Sequence, residues 1–224
     1  MLSVCICSCI NRPERGDYLK RCVDSLNDVF SDRGIEILIG FDKYGTEVDG
    51  AKCYTHENGM GHSWNWAMEN ASFEDILQIE DDWIIQIAGP NIENLPEKKD
   101  FFHYLDNRIS VLNKFGGIFR FTCTDDKFWK PGKTKHTLNG FDFIEANRPD
   151  EFRMGTWDMY LYTNQPHMKK KDLHESVGYY KENAPAHEVE IDMCRKFHAS
   201  GKKVFMNPFF TLIHIGEVQS RVNV

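Results

Sequence analysis

The sequence has no run approaching the ~18 consecutive apolar residues of a membrane-spanning helix. Its opening, "LSVCICSCI", lacks the charged front and the small-residue cleavage site of a secretory leader and reads as a first β-strand. These absences predict a soluble, cytoplasmic protein with no membrane span. A surplus of positive charge is also missing. The 27 Lys and Arg residues face 34 Asp and Glu, giving a formal net charge of −7. That excludes the general basic footprint of a nucleic-acid-binding domain, although not a local patch. No internal repeat or low-complexity segment interrupts the chain. The seven cysteines are odd in number and scattered, which does not suit a disulfide framework. Cys5, Cys7 and Cys9 alternate, so a strand places them on one face, and no fourth ligand is spaced near them as in a zinc site. They read as small buried hydrophobes in a reducing compartment.

What is present suits one domain over residues 1–224, since 41% of the residues are hydrophobic and can form a core. The first third alternates strand and helix signals. After "LSVCICSCI" comes a turn, "NRPERG". Then "DYLKRCVDSLNDVF" places Leu19, Cys22, Val23, Leu26 and Val29 at helical spacing, with Asp17 as N-cap. "IEILIGF" is an apolar run of the kind buried on both faces of a sheet. A loop, "HENGMG", leads to a helix, "HSWNWAMENAS", and a further buried strand, "DILQI". This order predicts an α/β fold with a central, mostly parallel sheet flanked by helices. In such sheets ligands gather at the carboxyl ends of the strands. Asn11, Asp42 and the cluster Glu80–Asp82 all follow apolar strands and so converge on one rim. Further on, "DNRISVLNKF" reads as a helix, "GGIFRFTC" as a strand, and "DKFWKPGKTKH" as a lysine-rich loop around Phe128 and Trp129. "HEVEIDMCRKFHASG" is helical, with Gly201 as its stop, and two short strands, "KVFM" and "FFTLIHIG", follow.

The most informative stretch is "ILQIEDDWIIQ", where Glu80, Asp81 and Asp82 stand together between two apolar runs. One reading is a solvated surface turn between strands. The other is a cation site at a strand end, because Mg2+ and Mn2+ prefer oxygen ligands and share them with substrate phosphates.

The order of these motifs resembles the GT-A-fold glycosyltransferases of the broad family-2 type. "SVCICSCINRPERGDYLKRCVDSL" is similar to that family's opening strand, Asn-Arg-Pro turn and first helix. "IGFD" stands where the family has a strand ending in a nucleotide-binding aspartate. "ENGMGHSWNWAMENAS" resembles its Asn-Gly loop and following helix, and "ILQIEDDW" its strand ending in a DxD-type motif. "PHMKKKDLHESVGYYKEN" is similar to a basic helix leading into a Gly-aromatic turn, and "HEVEIDMCRKFHASGKKV" to the helix with the catalytic acid. The likeness is weakest over residues 84–150. Cys9 and Ile10 stand where the family often has Thr and Tyr. Val189 replaces the first acid of the usual Glu-Asp pair.

The resemblance implies a GT-A (Rossmann-like) fold, with residues 1–83 as the nucleotide-sugar-binding half and 84–224 as the acceptor-binding and catalytic half. It implies a metal-dependent inverting transferase that moves a sugar from a nucleotide donor, UDP-linked, to an acceptor hydroxyl. The implied donor contacts are Asn11, Arg12, Asp42, Asn58, Gly59, Asn65 and Asp81. The implied ligands for Mn2+ or Mg2+ are Asp82, Glu80 and His214. The base is Glu190, with Glu188 and Asp192 as alternatives on the same helix. An ordinary first-turn glutamate, favoured by the helix dipole, is the plain alternative for Glu190. Glycan, lipid-linked sugar, protein and a modified nucleic-acid base all remain open as acceptor, with the lysine loop and Lys169–Lys171 as the only pointers to the last. Two rival functions are a sugar-nucleotide pyrophosphorylase or nucleotidyltransferase and a non-catalytic sugar-nucleotide-binding module. The first needs a Gly-rich phosphate loop, which "CINRPERG" does not supply.

Overall fold

The structure, a computed structural model, describes residues 1–87, 97–121, 133–146, 148, 150, 152, 162–207 and 212–216. The lysines and aromatics of the 127–130 run and Trp157 lie outside them. In chain order the elements are β1 (Ser3–Ser8), α1 (Pro13–Phe30), β2 (Glu36–Asp42), β3 (Ala51–His56), α2 (Met60–Asn70), β4 (Asp75–Glu80), β5 (Trp83–Ile85), α3 (Lys98–Phe115) and β6 (Ile118–Phe121). There follow β7 (Lys133–Leu138), β8 (Phe141–Ala146), β9 (His167–Lys170), α4 (Leu173–Val177), α5 (Ala186–Ser200), β10 (Val204–Asn207) and β11 (Leu212–His214).

Nine strands form one sheet in the order β3-β2-β1-β4-β9-β6-β10-β8-β7. Strands β1 to β4 are mutually parallel, β6 and β10 pair in parallel, and β9 and β8 run against their neighbours. The sheet is thus mostly parallel in direction, as the alternation of apolar runs and amphipathic helices predicts.

Residue alternation along β1 explains the two-sided core. Val4 and Ile6 pack with α1 and α3, whereas Cys5 and Cys7 pack with α2 and α5. The cysteines act as small hydrophobes, and burial pushes the Cys5 thiol up to about 12. Small groups are needed on that face because α2 lies close to it. A Cβ at Gly40 would stand 2.8 Å from the backbone of Ser63. On the opposite face, Leu19, Val23, Leu26, Val29 and Phe30 of α1 are all buried, each worth about 1.5–3 kcal/mol relative to exposure.

Several elements differ from the sequence reading. Helix α1 begins at Pro13, not Asp17, because proline at the first position is preset for a helix and has no N–H to lose. Helix α3 begins at Lys98, eight residues before the predicted start, with Phe101, Phe102 and Leu105 supplying its buried face. The basic run 167–170 is a strand, not a helix. There Lys169 is fully buried, Lys170 pairs with Asp75 at 2.5 Å and Lys171 donates to the Ala71 carbonyl at 2.7 Å. These lysines have partners within the fold. Among the described residues no helix is long and apolar enough to cross a membrane.

Candidate active site

The carboxyl ends of β1, β2 and β4 meet on one rim, as their parallel register requires. Strand β4 stops at Glu80, and Asp81 and Asp82 form the turn into β5. Asp81 has no exposed surface, so the solvated-turn reading fails. Its carboxylate is held by Ser8 at 2.5 Å, from the end of β1, and by Arg15 at 2.8 Å, from the first turn of α1. Arg15 also reaches Asp82 at 3.0 Å.

Asp82 is the hub. His214 Nε2 stands 3.2 Å from its Oδ2. The imidazole is stacked on Trp83 at 4.7 Å, which follows from the pairing of β11 with β5 that sets His214 opposite Trp83. The Ile215 N–H donates to the Asp82 carbonyl at 2.8 Å. A Cβ on Gly216 would fall 2.5 Å from Asp82 Oδ2, so only glycine lets this segment approach. The second carboxylate oxygen, Oδ1, is buried without a hydrogen-bond partner among the described residues.

The acids respond differently to this crowding. Burial raises Glu80 well above the carboxylate range, and the charges of Asp82, Glu190 and Asp81 add to it. Burial also lifts Asp81 to about 6 against the pull of Arg15 and Ser8. At Asp82 burial acts upward too, but His214 and Arg15 outweigh it and hold the group below its usual value.

Of the three acids considered on α5, Glu190 is near enough to Glu80 for its charge to push that acid's pKa up. One of its oxygens accepts the Asn164 N–H at 3.1 Å. Burial raises its pKa, opposed by that bond and by Arg120. Glu188 is exposed and paired with Lys181 at 2.9 Å, and Asp192 is paired with Lys196 at 2.7 Å.

The remaining residues named from sequence separate into two groups. Asp42 accepts the Gly59 N–H at 3.2 Å, so the end of β2 and the start of α2 meet. Asn11 and Arg12 are exposed. Asn58 and Asn65 are engaged within the fold. The Asn58 carbonyl accepts the Asn183 N–H, and the Asn65 amide bridges the Tyr180 backbone and Glu182. Trp64 is fully buried, and Trp66 stacks on Tyr54. The sequence reading names Arg12, and the structure places a second arginine, Arg15, on the acids. Reading Pro13 as the first helical residue would have put Arg15 in the first turn, facing the strand ends.

Among the described residues no group of three or more His, Cys, Asp or Glu side chains is arranged to hold a metal ion. Asp82 and His214 are the pair that stands together at the rim, and a carboxylate there is the kind of oxygen ligand that Mn2+ or Mg2+ takes when substrate phosphates complete its shell.

The nine-stranded sheet with this acidic turn has the fold of the GT-A-type glycosyltransferases. Two solved structures show the likeness. One is S. aureus TarS 1–349, with a TM-score of 0.53 at 13% identity, and the match covers 96% of this chain and 60% of that one. The other is the mannosyltransferase PcManGT from Pyrobaculum calidifontis in complex with GDP-Man and Mn2+, with a TM-score of 0.57 at 12% identity, covering 96% and 56%. The chain therefore spans less than two thirds of either neighbour. No protein-family model and no curated sequence matches it.

Proposed function

We propose that the protein is a metal-dependent inverting glycosyltransferase that moves a sugar from a nucleotide donor to an acceptor hydroxyl. The observation that supports this reading is the buried acidic turn at the end of β4, where Asp82 lies between Arg15 and His214, with Glu190 near enough for its charge to act on Glu80. Asp82 and His214, with Glu80 beside them, would hold a divalent ion that takes its other ligands from the donor diphosphate. When bound, that ion supplies Lewis-acid relief of the charge developing on the leaving diphosphate.

This chain's own residues do the rest. Asp42, fixed by the Gly59 N–H, faces the rim where the base and ribose would lie. Arg15 adds positive charge next to the diphosphate position. Glu190 accepts the proton of the acceptor hydroxyl. As that O–H bond breaks, the oxygen attacks the anomeric carbon from the face opposite the diphosphate. The bond to the phosphate oxygen breaks and the configuration inverts. A raised pKa suits Glu190 to this task, since a base works best with a pKa near the working pH.

The donor is testable directly. Release of nucleoside diphosphate from UDP-glucose, UDP-N-acetylglucosamine and GDP-mannose should be measured with Mn2+ and with EDTA. The reading expects release from at least one donor that stops in EDTA. Binding of a donor with no release by any route would favour the non-catalytic module, and neither binding nor release would defeat the reading.

A further inference from the structure

The segment Tyr162–His167 leads into β9, whose first residue, His167, pairs with Gln78 of β4, and it is tied down along its length. The Thr163 hydroxyl accepts the Gln165 N–H at 2.8 Å. The Gln165 side chain accepts from Arg120 at 2.6 Å, and the Pro166 carbonyl accepts the Phe121 N–H at 3.1 Å.

Tyr162, itself buried, is anchored at both ends. Its hydroxyl meets the hydroxyl of Tyr180 in a short contact, and Tyr180 donates to Gln78 Oε1 at 2.9 Å. Lys169 donates to the same oxygen. Gln78 precedes Glu80 by two residues on β4 and so projects from the same face. At the other end, the Tyr162 carbonyl lies 2.7 Å from Cys194 Sγ, one turn beyond Glu190 on α5. Between these anchors and Glu190 stands the Asn164 N–H, bonded to the Glu190 carboxylate at 3.1 Å.

Two tyrosine hydroxyls in a core are costly unless paired, and phenylalanine would fill the same space without that cost. Here they are paired, with each other and with Gln78, and so tie the Tyr162 segment to β4 in a way that phenylalanine would not. We propose that Tyr162 and Tyr180 are positioning residues for Glu190, which, through Gln78, fix the spacing between the acidic end of β4 and the base on α5. This rests on the reading of Glu190 as base. Its physical basis is that proton transfer and attack tolerate little displacement, and misplacement by 1 Å can cost about a hundredfold in rate. A backbone N–H holds a carboxylate only as well as its own segment is held.

The test uses Mn2+-dependent nucleoside diphosphate release from the donor panel, with Tyr162→Phe, Tyr180→Phe, Glu190→Gln and the pairwise combinations. Each Phe variant should melt cooperatively and keep the donor KM within about twofold, while kcat falls about ten- to a hundredfold. In the Glu190→Gln background neither should cost anything more, because residues acting through one group are not additive. Unchanged kcat, or a loss that persists in full on the Glu190→Gln background, would overturn the proposal while leaving the transferase reading intact. Should one Phe variant fail to fold, the other decides. Full turnover by Glu190→Gln alone, or no turnover by the wild type, would instead remove the base assignment and this proposal with it.

Discussion

At Arg15 a single guanidinium balances two carboxylates, one of them without any exposed surface. Removing one partner of such a group leaves a buried charge uncompensated. Arg15→Met should therefore lower the unfolding free energy by about 3 kcal/mol in metal-free buffer. If a divalent ion can take over part of this balance, the loss measured by urea denaturation should shrink in saturating Mn2+. Glu190 offers a second test at this scale. As a base it must be ionised, and burial raises its pKa, so donor turnover should fall as pH drops through that raised value. Glu190→Gln should lose roughly 10²–10⁴-fold and flatten that acid limb, whereas Glu188→Gln and Asp192→Asn, whose acids face lysines, should retain both rate and limb. A loss centred on Glu188 instead would shift the base by two residues and leave the fold untouched.

Among the elements, legibility followed apolar patterning. Strands β1, β2 and β4 are apolar runs, and α1 and α5 repeat buried residues at helical spacing, so their presence and order were readable. Strand β3, "AKCYTH", was not, because it is a short, half-polar edge strand. The β7–β8 hairpin was missed although Asn139-Gly140, both at positive φ, is a strong hairpin signal between strands. Strand β9 is the hardest case. Its Lys169 is buried at the centre of the sheet, held by Gln78 and lying over the Tyr180 ring at 5.6 Å, and no hydrophobic pattern announces a buried lysine. Burial lowers this amine from 10.5 to about 7. Below that value both folded and unfolded chains carry the proton. Between about 7 and 10.5 only the unfolded chain does, so this group adds stability as pH rises. The expected slope is ~1.4 kcal/mol per pH unit. Chemical denaturation at pH 7 and pH 9 should show the gain in wild type, and Lys169→Met should lose it.

For the molecule as a whole, the rim and its acids were legible because a parallel sheet gathers strand ends, whatever their separation in sequence. What those acids touch was not legible. The bonds from Ser8 and Arg15 to Asp81, and from His214 to Asp82, join residues far apart in the chain. They depend on where α1 starts and on the pairing of β11 with β5. The central claim is that this rim binds a nucleotide diphosphate through a cation held at Asp82. Calorimetric titration of UDP and of GDP, with and without Mn2+, into wild type and Asp82→Asn tests it most directly. The account predicts binding of at least one nucleotide that tightens at least tenfold with Mn2+, and loss of that gain in a variant that still melts cooperatively. Equal Mn2+-dependent affinity in wild type and variant would contradict it.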